Sequence, residues 1–265
     1  MNTRYILLLW LIVSLATACK KEVTLPDIPE EGQISFYFGS TAMTSGSLVL
    51  IDSHDTTYQP PKNIFYSIYP FYYKTGDRLP VYPTVNTNWM RFMHLSTGEH
   101  QLLLIDSDHH PLDSAKIKLD ADKPVTVFYT DSIGYYDHLV ASDRFIPDTG
   151  KIGIRIINLS PFTGPVYLTF NKATLPSIPV TRYLDNTGFQ PVDVPGPQTL
   201  NIKVFPEGEK VNFLTRSSVD IIPGHAYTLV ISGYSNNNPG NYTDPQTGRT
   251  VTIQPNFSLS ATKTF

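Results

Sequence analysis

Cysteine is nearly absent from this chain, which has one thiol, Cys19, among 265 residues. A single cysteine excludes an internal disulfide framework and any zinc site built from paired cysteines. Cys19 directly follows an apolar stretch, residues 5–18, and directly precedes Lys20 and Lys21. The position of Cys19, directly after an apolar stretch, is therefore the main evidence on what this cysteine does.

The N-terminal segment lacks the length of a membrane span, which needs about 20 apolar residues. Arg4, the apolar stretch and the small residues that precede Cys19 are typical of a secretory signal. Leu15-Ala-Thr-Ala-Cys19 resembles the lipobox of bacterial lipoproteins, in a loose form common in Bacteroidota. We expect a signal peptide (residues 1–18), a lipidated tether (residues 19–32) and a place in the cell envelope as an outer-membrane lipoprotein, with exposure at the cell surface as the finer expectation. The alternative is an ordinary secretory signal with an accidental cysteine.

Charged residues are sparse, at 16% of the chain. Removing residues 1–18 removes one positive charge, Arg4, and leaves 19 Lys and Arg against 23 Asp and Glu, a net charge of −4. Because there is no basic patch, nucleic acid is not a predicted partner. The predicted membrane contact is through lipid on Cys19, and the other predicted partner is an envelope protein or a glycan.

Long amphipathic helical patterns are missing after residue 18. Short alternating segments rich in Val, Ile, Tyr, Phe and Thr occur instead, and Gly, Pro, Asn and Asp separate them. The predicted strands cover residues 34–38, 47–51, 101–105, 115–119, 125–129, 152–157, 166–170, 199–204, 218–221, 227–231, 249–253 and 257–261. The fold class predicted is therefore all-β, with two tandem immunoglobulin-like β-sandwich domains. Their predicted bounds are residues 33–146 and residues 151–265, with a turn-rich boundary at residues 147–150.

An internal repeat supports this division. Ile34-Ser-Phe-Tyr-Phe38 matches Ile154-Arg-Ile-Ile-Asn158, and Gly98-Glu-His-Gln-Leu-Leu-Leu104 matches Gly196-Pro-Gln-Thr-Leu-Asn-Ile202. Asp122-Lys-Pro-Val-Thr-Val-Phe128 matches Gly224-His-Ala-Tyr-Thr-Leu-Val230 in the same order. Two related units in tandem are thus favoured over one large barrel.

The second copy carries three recognisable segments, Arg155-Ile-Ile-Asn-Leu-Ser-Pro161, Val194-Pro-Gly196 and Gly224-His-Ala-Tyr-Thr228. They resemble the domain of unknown function 4397 family, over residues 151–233 and, through the repeat, residues 33–140. The resemblance implies an immunoglobulin-like sandwich in exported bacterial proteins. It implies no catalytic residues and no particular ligand.

Motifs for catalysis are absent. No Gly-x-Ser-x-Gly elbow, phosphate-binding glycine loop or His-Glu-x-x-His helix occurs. Ser260-Ala-Thr-Lys263 has the spacing of a Ser-x-x-Lys pair but lies in a predicted strand, whereas that chemistry needs a helical turn. We therefore predict that the protein is not an enzyme and needs no cofactor.

One polar cluster, Asp106-Ser-Asp-His-His110 with Asp113, has side chains that bind cations elsewhere. It lacks the central Gly and terminal Glu of an EF-type loop, so a solvated hairpin tip is favoured over a cation site. No metal site is predicted.

Aromatic residues cluster in residues 64–73 of an insert that distinguishes the first copy. Exposed rings can stack on sugars or grip a protein, although packing in a core or between domains is favoured. The candidate ligand-binding residues are Tyr66, Tyr69, Tyr72, Tyr73 and Trp89. The function predicted is a non-catalytic structural or adhesion-type module, and the alternative is a carbohydrate-binding lipoprotein that uses this platform.

Overall fold

The computed structural model describes residues 30–39, 47–53, 92–106 and 110–264. Over these ranges the chain forms sixteen β-strands and no helix, which confirms the all-β prediction. The strands are β1 (Glu31–Phe38), β2 (Ser47–Ile51), β3 (Met93–Ser96), β4 (Gly98–Asp106), β5 (Pro111–Leu119), β6 (Val125–Ser132), β7 (Tyr135–Ser142), β8 (Lys151–Asn158), β9 (Val166–Phe170), β10 (Gln190–Asp193), β11 (Gln198–Pro206), β12 (Thr215–Ile221), β13 (Ala226–Ser232), β14 (Asn241–Thr243), β15 (Thr250–Thr252) and β16 (Ser258–Lys263).

Strands β1 to β7, here called the N-terminal half, form two sheets with the strand orders β3-β1-β6-β7 and β2-β4-β5. Their facing side chains form one apolar core, in which Phe36 and Val127 from the first sheet meet Leu102 and Ile117 from the second. Alternation along each strand sends every second residue into this core. The arrangement is a β-sandwich.

Strands β8 to β16, the C-terminal half, repeat the topology. Their sheets have the orders β10-β8-β13-β16 and β12-β11-β9, and β14 and β15 add a hairpin. The first strand of each half pairs in parallel with a later one, with Ile34 opposite Val125 and Ile154 opposite Tyr227. Strands β4 and β11 also share one burial pattern along nine residues. The structural correspondence matches the repeat read from the sequence.

The two halves meet through the sheets that contain β1 and β8. Because β6, β8 and β13 are buried on both faces, alternate residues that point away from their own core pack against the other half. Tyr37 and Phe128 contact Ile157 and Val230 in a shared apolar cluster, here called the junction. The Tyr37 hydroxyl also lies 3.1 Å from the Ser260 hydroxyl.

A buried ion pair joins the halves beside this cluster. The Arg155 guanidinium donates to the Asp143 carboxylate, and both side chains are almost wholly buried. Arg155 also donates to the Thr228 hydroxyl (2.9 Å) and the Ser142 carbonyl (2.8 Å), while the Thr126 hydroxyl donates to Asp143 (2.7 Å). Full hydrogen bonding offsets part of the cost of burying two charges.

The motif residues of the second copy are structural. Arg155 holds the ion pair, and the Asn158 amide oxygen accepts the Ser160 backbone N–H (3.0 Å). The Ser160 hydroxyl donates to the Gly233 carbonyl at 2.6 Å, and the Tyr227 hydroxyl accepts the Ile222 N–H at 2.8 Å. These bonds fix turns at the ends of β8 and β13.

Some elements were missing from the sequence prediction. Strands β3, β7, β10 and β14 were not predicted, and β1 begins at Glu31, two residues before the predicted start of the first domain at residue 33. Pairing with β3 extends β1 in this direction, with Glu31 opposite Ser96. The division into two domains stays a prediction.

Candidate functional site

A groove of about 360 Å³ lies at the end of the C-terminal half where β13 stops. It is formed by the connection between β13 and β16, residues 233–257, which we call the β13–β16 connection, together with Leu214 from the residue before β12. The lining residues are Leu214, Tyr234, Ser235, Asn236, Asn237, Pro255, Asn256 and Phe257.

The two ends of the β13–β16 connection are tied to each other beneath the groove. The Asn256 amide oxygen accepts the Tyr234 N–H (2.8 Å), and the Tyr234 carbonyl accepts the Asn256 N–H (2.9 Å). Gly233 has φ +83°, and a Cβ on it would lie 2.6 Å from the Asn256 carbonyl oxygen. Only glycine fits this close approach.

Tyr234 forms the floor of the groove and is 2% exposed. Its hydroxyl lies 2.5 Å from the Asp131 carboxylate, to which it donates, and accepts the Ile133 N–H at 2.9 Å. Its ring stacks on Phe162 at a centroid distance of 5.7 Å. Burial first, and then the Asp131 charge, raise the pKa of Tyr234 above its ordinary range, so the phenol stays protonated.

The N-terminal half supports the β13–β16 connection through the β6–β7 turn. Ile133 packs in a small apolar cluster with Tyr234, Tyr242 and Ile253. Its φ of 49° is unusual for a β-branched residue, and such strain persists only where the surroundings hold it. At Gly134, φ is +84° and an added Cβ would lie 2.7 Å from Pro245. The turn is thus held against the connection that forms the groove.

The exposed lining of the groove is uncharged. Asn236, Asn237 and Asn256 present carboxamides to solvent, and Phe257 and Leu214 are half-buried apolar neighbours. Within the described residues, the side-chain amides of Asn236 and Asn237 have no protein hydrogen-bond partner. Carboxamides both donate and accept, so this lining suits a neutral ligand with many hydroxyl groups and some apolar surface.

The residues proposed from the sequence as a site are not part of this groove. Cys19 lies outside the described residues, as do the five aromatic candidates Tyr66, Tyr69, Tyr72, Tyr73 and Trp89. Whether the aromatic insert is core or platform stays a prediction.

The polar cluster near residue 106 is divided between partners. His110 Nδ1 lies 3.1 Å from the Asp106 carboxylate, whereas Asp113 pairs with His138 of β7 at 2.7 Å. Strand β4 ends at Asp106 and β5 begins at Pro111, so a hairpin tip lies here as predicted. In the described part of the chain, no group of three metal-binding side chains is present.

The Ser-x-x-Lys residues lie on a strand, as the sequence predicted. The Ser260 hydroxyl contacts the Tyr37 hydroxyl, and the Lys263 ammonium lies 3.2 Å from His225 Nε2. Each side chain therefore has a separate partner on another strand.

Sequence reasoning missed the groove. The run Ser235-Asn-Asn-Asn238 with the following Pro-Gly was a visible signal, because consecutive carboxamides in a turn-rich segment mark an exposed polar loop. Asn256 and Phe257 are far along the chain, and nothing in the sequence places them beside that run.

No family model and no curated protein matches the chain. One solved structure, described as alpha-glucan recognition by family 41 carbohydrate-binding modules from streptococcal virulence factors, is 12% identical to this chain, with a TM-score of 0.26. The match covers 82% of this chain and 100% of that one. A family 26 carbohydrate-binding module from Eubacterium rectale, in complex with maltoheptaose, shares 13% identity, with a TM-score of 0.21, over 84% and 98%.

The described residues contain no helix with the length and apolar character of a membrane span. The resemblance to the domain of unknown function 4397 family stays a prediction from the quoted motifs.

Proposed function

We propose that this chain is an exported, lipid-anchored and non-catalytic protein that binds neutral glycans in the groove of its C-terminal half. The observation that carries the proposal is the uncharged lining, in which the carboxamides of Asn236, Asn237 and Asn256 surround the apolar surface of Phe257 and Leu214. Recognition of a glycan would make the protein an adhesion-type module.

Sugars match this lining in two respects. Each ring has hydroxyl groups that exchange hydrogen bonds with carboxamides, and it has an apolar face of C–H groups that packs on an aromatic ring. A charged ligand would find no counter-ion among the groove residues, so removing its charge from water would be uncompensated. Neutral sugars avoid this cost.

The strand directions place the groove away from the predicted tether. Strand β1 begins at Glu31, within the last two residues of the predicted tether, and β6 runs parallel to it. The far end of β6 leads into Ile133 and Gly134, which contact Tyr234 and Pro245 of the β13–β16 connection. A chain anchored at Cys19 would hold its groove at the end distant from the membrane.

The test is a glycan array probed with the mature chain in detergent, followed by titration calorimetry with the best neutral oligosaccharide. We expect Asn236→Ala to weaken binding at least tenfold without changing the thermal midpoint. Phe257→Ala should weaken binding as strongly but also lower the thermal midpoint, because Phe257 packs against the core of the C-terminal half. Asn241→Ala is the matched control, because Asn241 is exposed on β14 and does not line the groove. Unchanged affinity in both groove variants would overturn the assignment.

Lipidation is tested separately. The wild-type chain is expected to partition into a detergent phase and to start at an acylated Cys19 by mass spectrometry, whereas Cys19→Ala protein stays in the aqueous phase. An unmodified Cys19 or cleavage elsewhere would contradict the anchor but would leave the groove proposal standing.

A further inference from the structure

The outer face of the β12-β11-β9 sheet is a second surface with a distinct chemistry. Inward residues of these strands, such as Leu168 and Val204, belong to the core. The alternate residues point the opposite way, so Tyr167 on β9, Lys203 and Phe205 on β11, and Arg216 on β12 share the outer face. This face does not include the groove residues.

Three aromatic rings lie side by side in a row across this face. Tyr167 and Phe205 are stacked with ring centroids 5.3 Å apart, and Phe213 meets the edge of Phe205 at 6.2 Å. Phe213 is 39% exposed, whereas Phe205 is buried. One ring therefore remains open to solvent on a support of two others.

The loop that holds Phe213 is ordered by its own hydrogen bonds. One carboxylate oxygen of Glu209 accepts the N–H groups of Lys210, Val211 and Asn212, and these backbone bonds lower the pKa of Glu209 to about 2. The Tyr167 hydroxyl donates to the Glu209 carbonyl at 2.5 Å. The position of Phe213 is thus fixed before any ligand arrives.

Two cations occupy opposed positions on this face, and one of them, Lys203, lies over the Phe213 ring. Lys203 pairs with Arg216 in the β11–β12 register, and like charges in opposed positions destabilise a sheet. Neither side chain forms an ion pair with a described carboxylate. Asp220, on the same strand as Arg216, accepts the Thr199 hydroxyl at 2.5 Å.

The Lys203 ammonium lies over the face of the Phe213 ring, 4.6 Å from the ring centroid. A carboxylate that binds this ammonium would draw it off the ring, and the ring face that it leaves would then be open to the apolar face of the same sugar. Arg216 adds planar, two-pronged recognition of a carboxylate. The two charges, which have no carboxylate partner among the described residues, fit an anion, and the ring fits a flat apolar surface.

We propose that this outer face binds a carboxylate-bearing polysaccharide, with uronic acid residues stacked on Phe213 and their carboxylates bound by Lys203 and Arg216. The site is independent of the neutral-glycan groove, because Phe213 lies on the outer face while the neighbouring Leu214 lines the groove. An acidic peptide would satisfy the cations but would not require the ring.

The test is affinity electrophoresis of the mature chain through gels that contain polygalacturonate, with poly-glutamate gels run in parallel. We expect retardation by polygalacturonate, with at least a tenfold loss of affinity in Arg216→Gln and in Phe213→Ala. Arg144→Gln is the matched control, since Arg144 is an exposed arginine of the N-terminal half and removes the same charge. Circular dichroism melts verify that each variant is folded.

Equal retardation by poly-glutamate would overturn the proposal in favour of an acidic peptide partner. Wild-type affinity for polygalacturonate in Phe213→Ala or in Arg216→Gln would also overturn it. The groove variant Asn236→Ala is expected to keep its affinity for polygalacturonate. Loss of retardation in this variant would overturn the independence of the two sites, whereas failure of the neutral glycan array alone leaves the outer face unaffected.

Discussion

The two halves share one strand topology but differ in the connection that follows the strand parallel to their first strand, which is β6 in one half and β13 in the other. In the N-terminal half, β6 passes into β7 through a two-residue turn, Ile133 and Gly134. In the C-terminal half, β13 reaches β16 only after residues 233–257, which contain β14 and β15. The groove lies in this longer connection.

The difference shows how a repeat can acquire a site. The conserved topology supplies two similar scaffolds, and the added connection of one copy lies against the short turn of the other. Because Asp131 and Ile133 hold the Tyr234 hydroxyl, the floor of the groove depends on residues from both copies. The candidate site therefore belongs to the pair of halves.

The largest expected effect comes from breaking the buried Asp143–Arg155 ion pair, which joins the halves beside the junction. Asp143→Asn removes the charge that balances the buried Arg155 guanidinium. Leaving one partner of a buried pair without its counter-charge costs about 3–5 kcal/mol. We expect the free energy of unfolding in urea to fall by this amount.

The control for that variant is an ion pair on the surface. Asp122 pairs with Arg144, and both side chains are more than half exposed. Exposed pairs contribute about 0–1 kcal/mol, so Asp122→Asn should be nearly neutral. An equal fall in the free energy of unfolding in both variants would show that the buried ion pair between the halves stabilises the protein no more than an exposed pair does.

A smaller effect is expected at the contact between the turn and the groove. Tyr234→Phe removes the hydroxyl that donates to buried Asp131 and accepts the Ile133 N–H. Loss of a bond to a buried charged group costs about 1–3 kcal/mol. Glycan affinity should fall as well, because the floor of the groove loses its support.

Tyr135→Phe is the matched control, since Tyr135 is 65% exposed on β7. Urea unfolding and calorimetry on both variants test the prediction together. A Tyr234→Phe protein with wild-type stability and affinity would separate the groove from the N-terminal half.

The smallest expected effect is a dependence of stability on pH that comes from two histidines of the N-terminal half, His100 and His138. The hydrogen bond that the His138 ring donates to the Asp113 carboxylate is the main cause that raises the pKa of His138 above its ordinary 6.5. Burial lowers the pKa of His100, but bonds to the Ser96 carbonyl and the Asp52 carboxylate outweigh it and leave the pKa raised. Both pairs lie in the N-terminal half.

A raised folded-state pKa gives stability that is complete below pH 6.5 and is lost as the pH rises through the folded value. We expect the free energy of unfolding to fall between pH 6 and pH 8, by less than about 1 kcal/mol per pair. The double variant His100→Gln, His138→Gln should flatten this dependence. A pH dependence that survives in the double variant would assign it to other groups.

The sequence predicted most strands because short runs rich in apolar and β-branched residues stand between turn-forming residues. Strands β2 and β9 have the predicted bounds, and in β9 the buried residues Val166, Leu168 and Phe170 recur at every second position. Strand β7, Tyr135–Ser142, was missed because polar residues such as Asp137 and His138 interrupt its apolar pattern. Its place is set by pairing with β6, which is a contact that local pattern does not report.

The candidate site was less accessible to sequence reasoning. Asn236 and Phe257 are brought together only by the return of β16 to β13, and the role of Asp131 requires the two halves to be in contact. The motif around Arg155 was visible in the sequence, and its residues hold a turn and the buried ion pair between the halves. The pattern of residues along the chain therefore indicates where strands lie, but it does not indicate which distant segments meet in the fold.

The central position of β1 has a mechanical consequence for a chain held at its N-terminus. Strand β1 lies between β3 and β6, so traction on the residues before Glu31 acts on hydrogen bonds to both neighbours at once. With the proposed anchor at Cys19 and a ligand in the proposed groove, that ligand would pull the far end of the parallel strand β6 in the opposite direction. The bonds between β1 and β6 would then be loaded in shear and would have to break together, so this strand arrangement would resist such a load better than a strand that peels away one bond at a time.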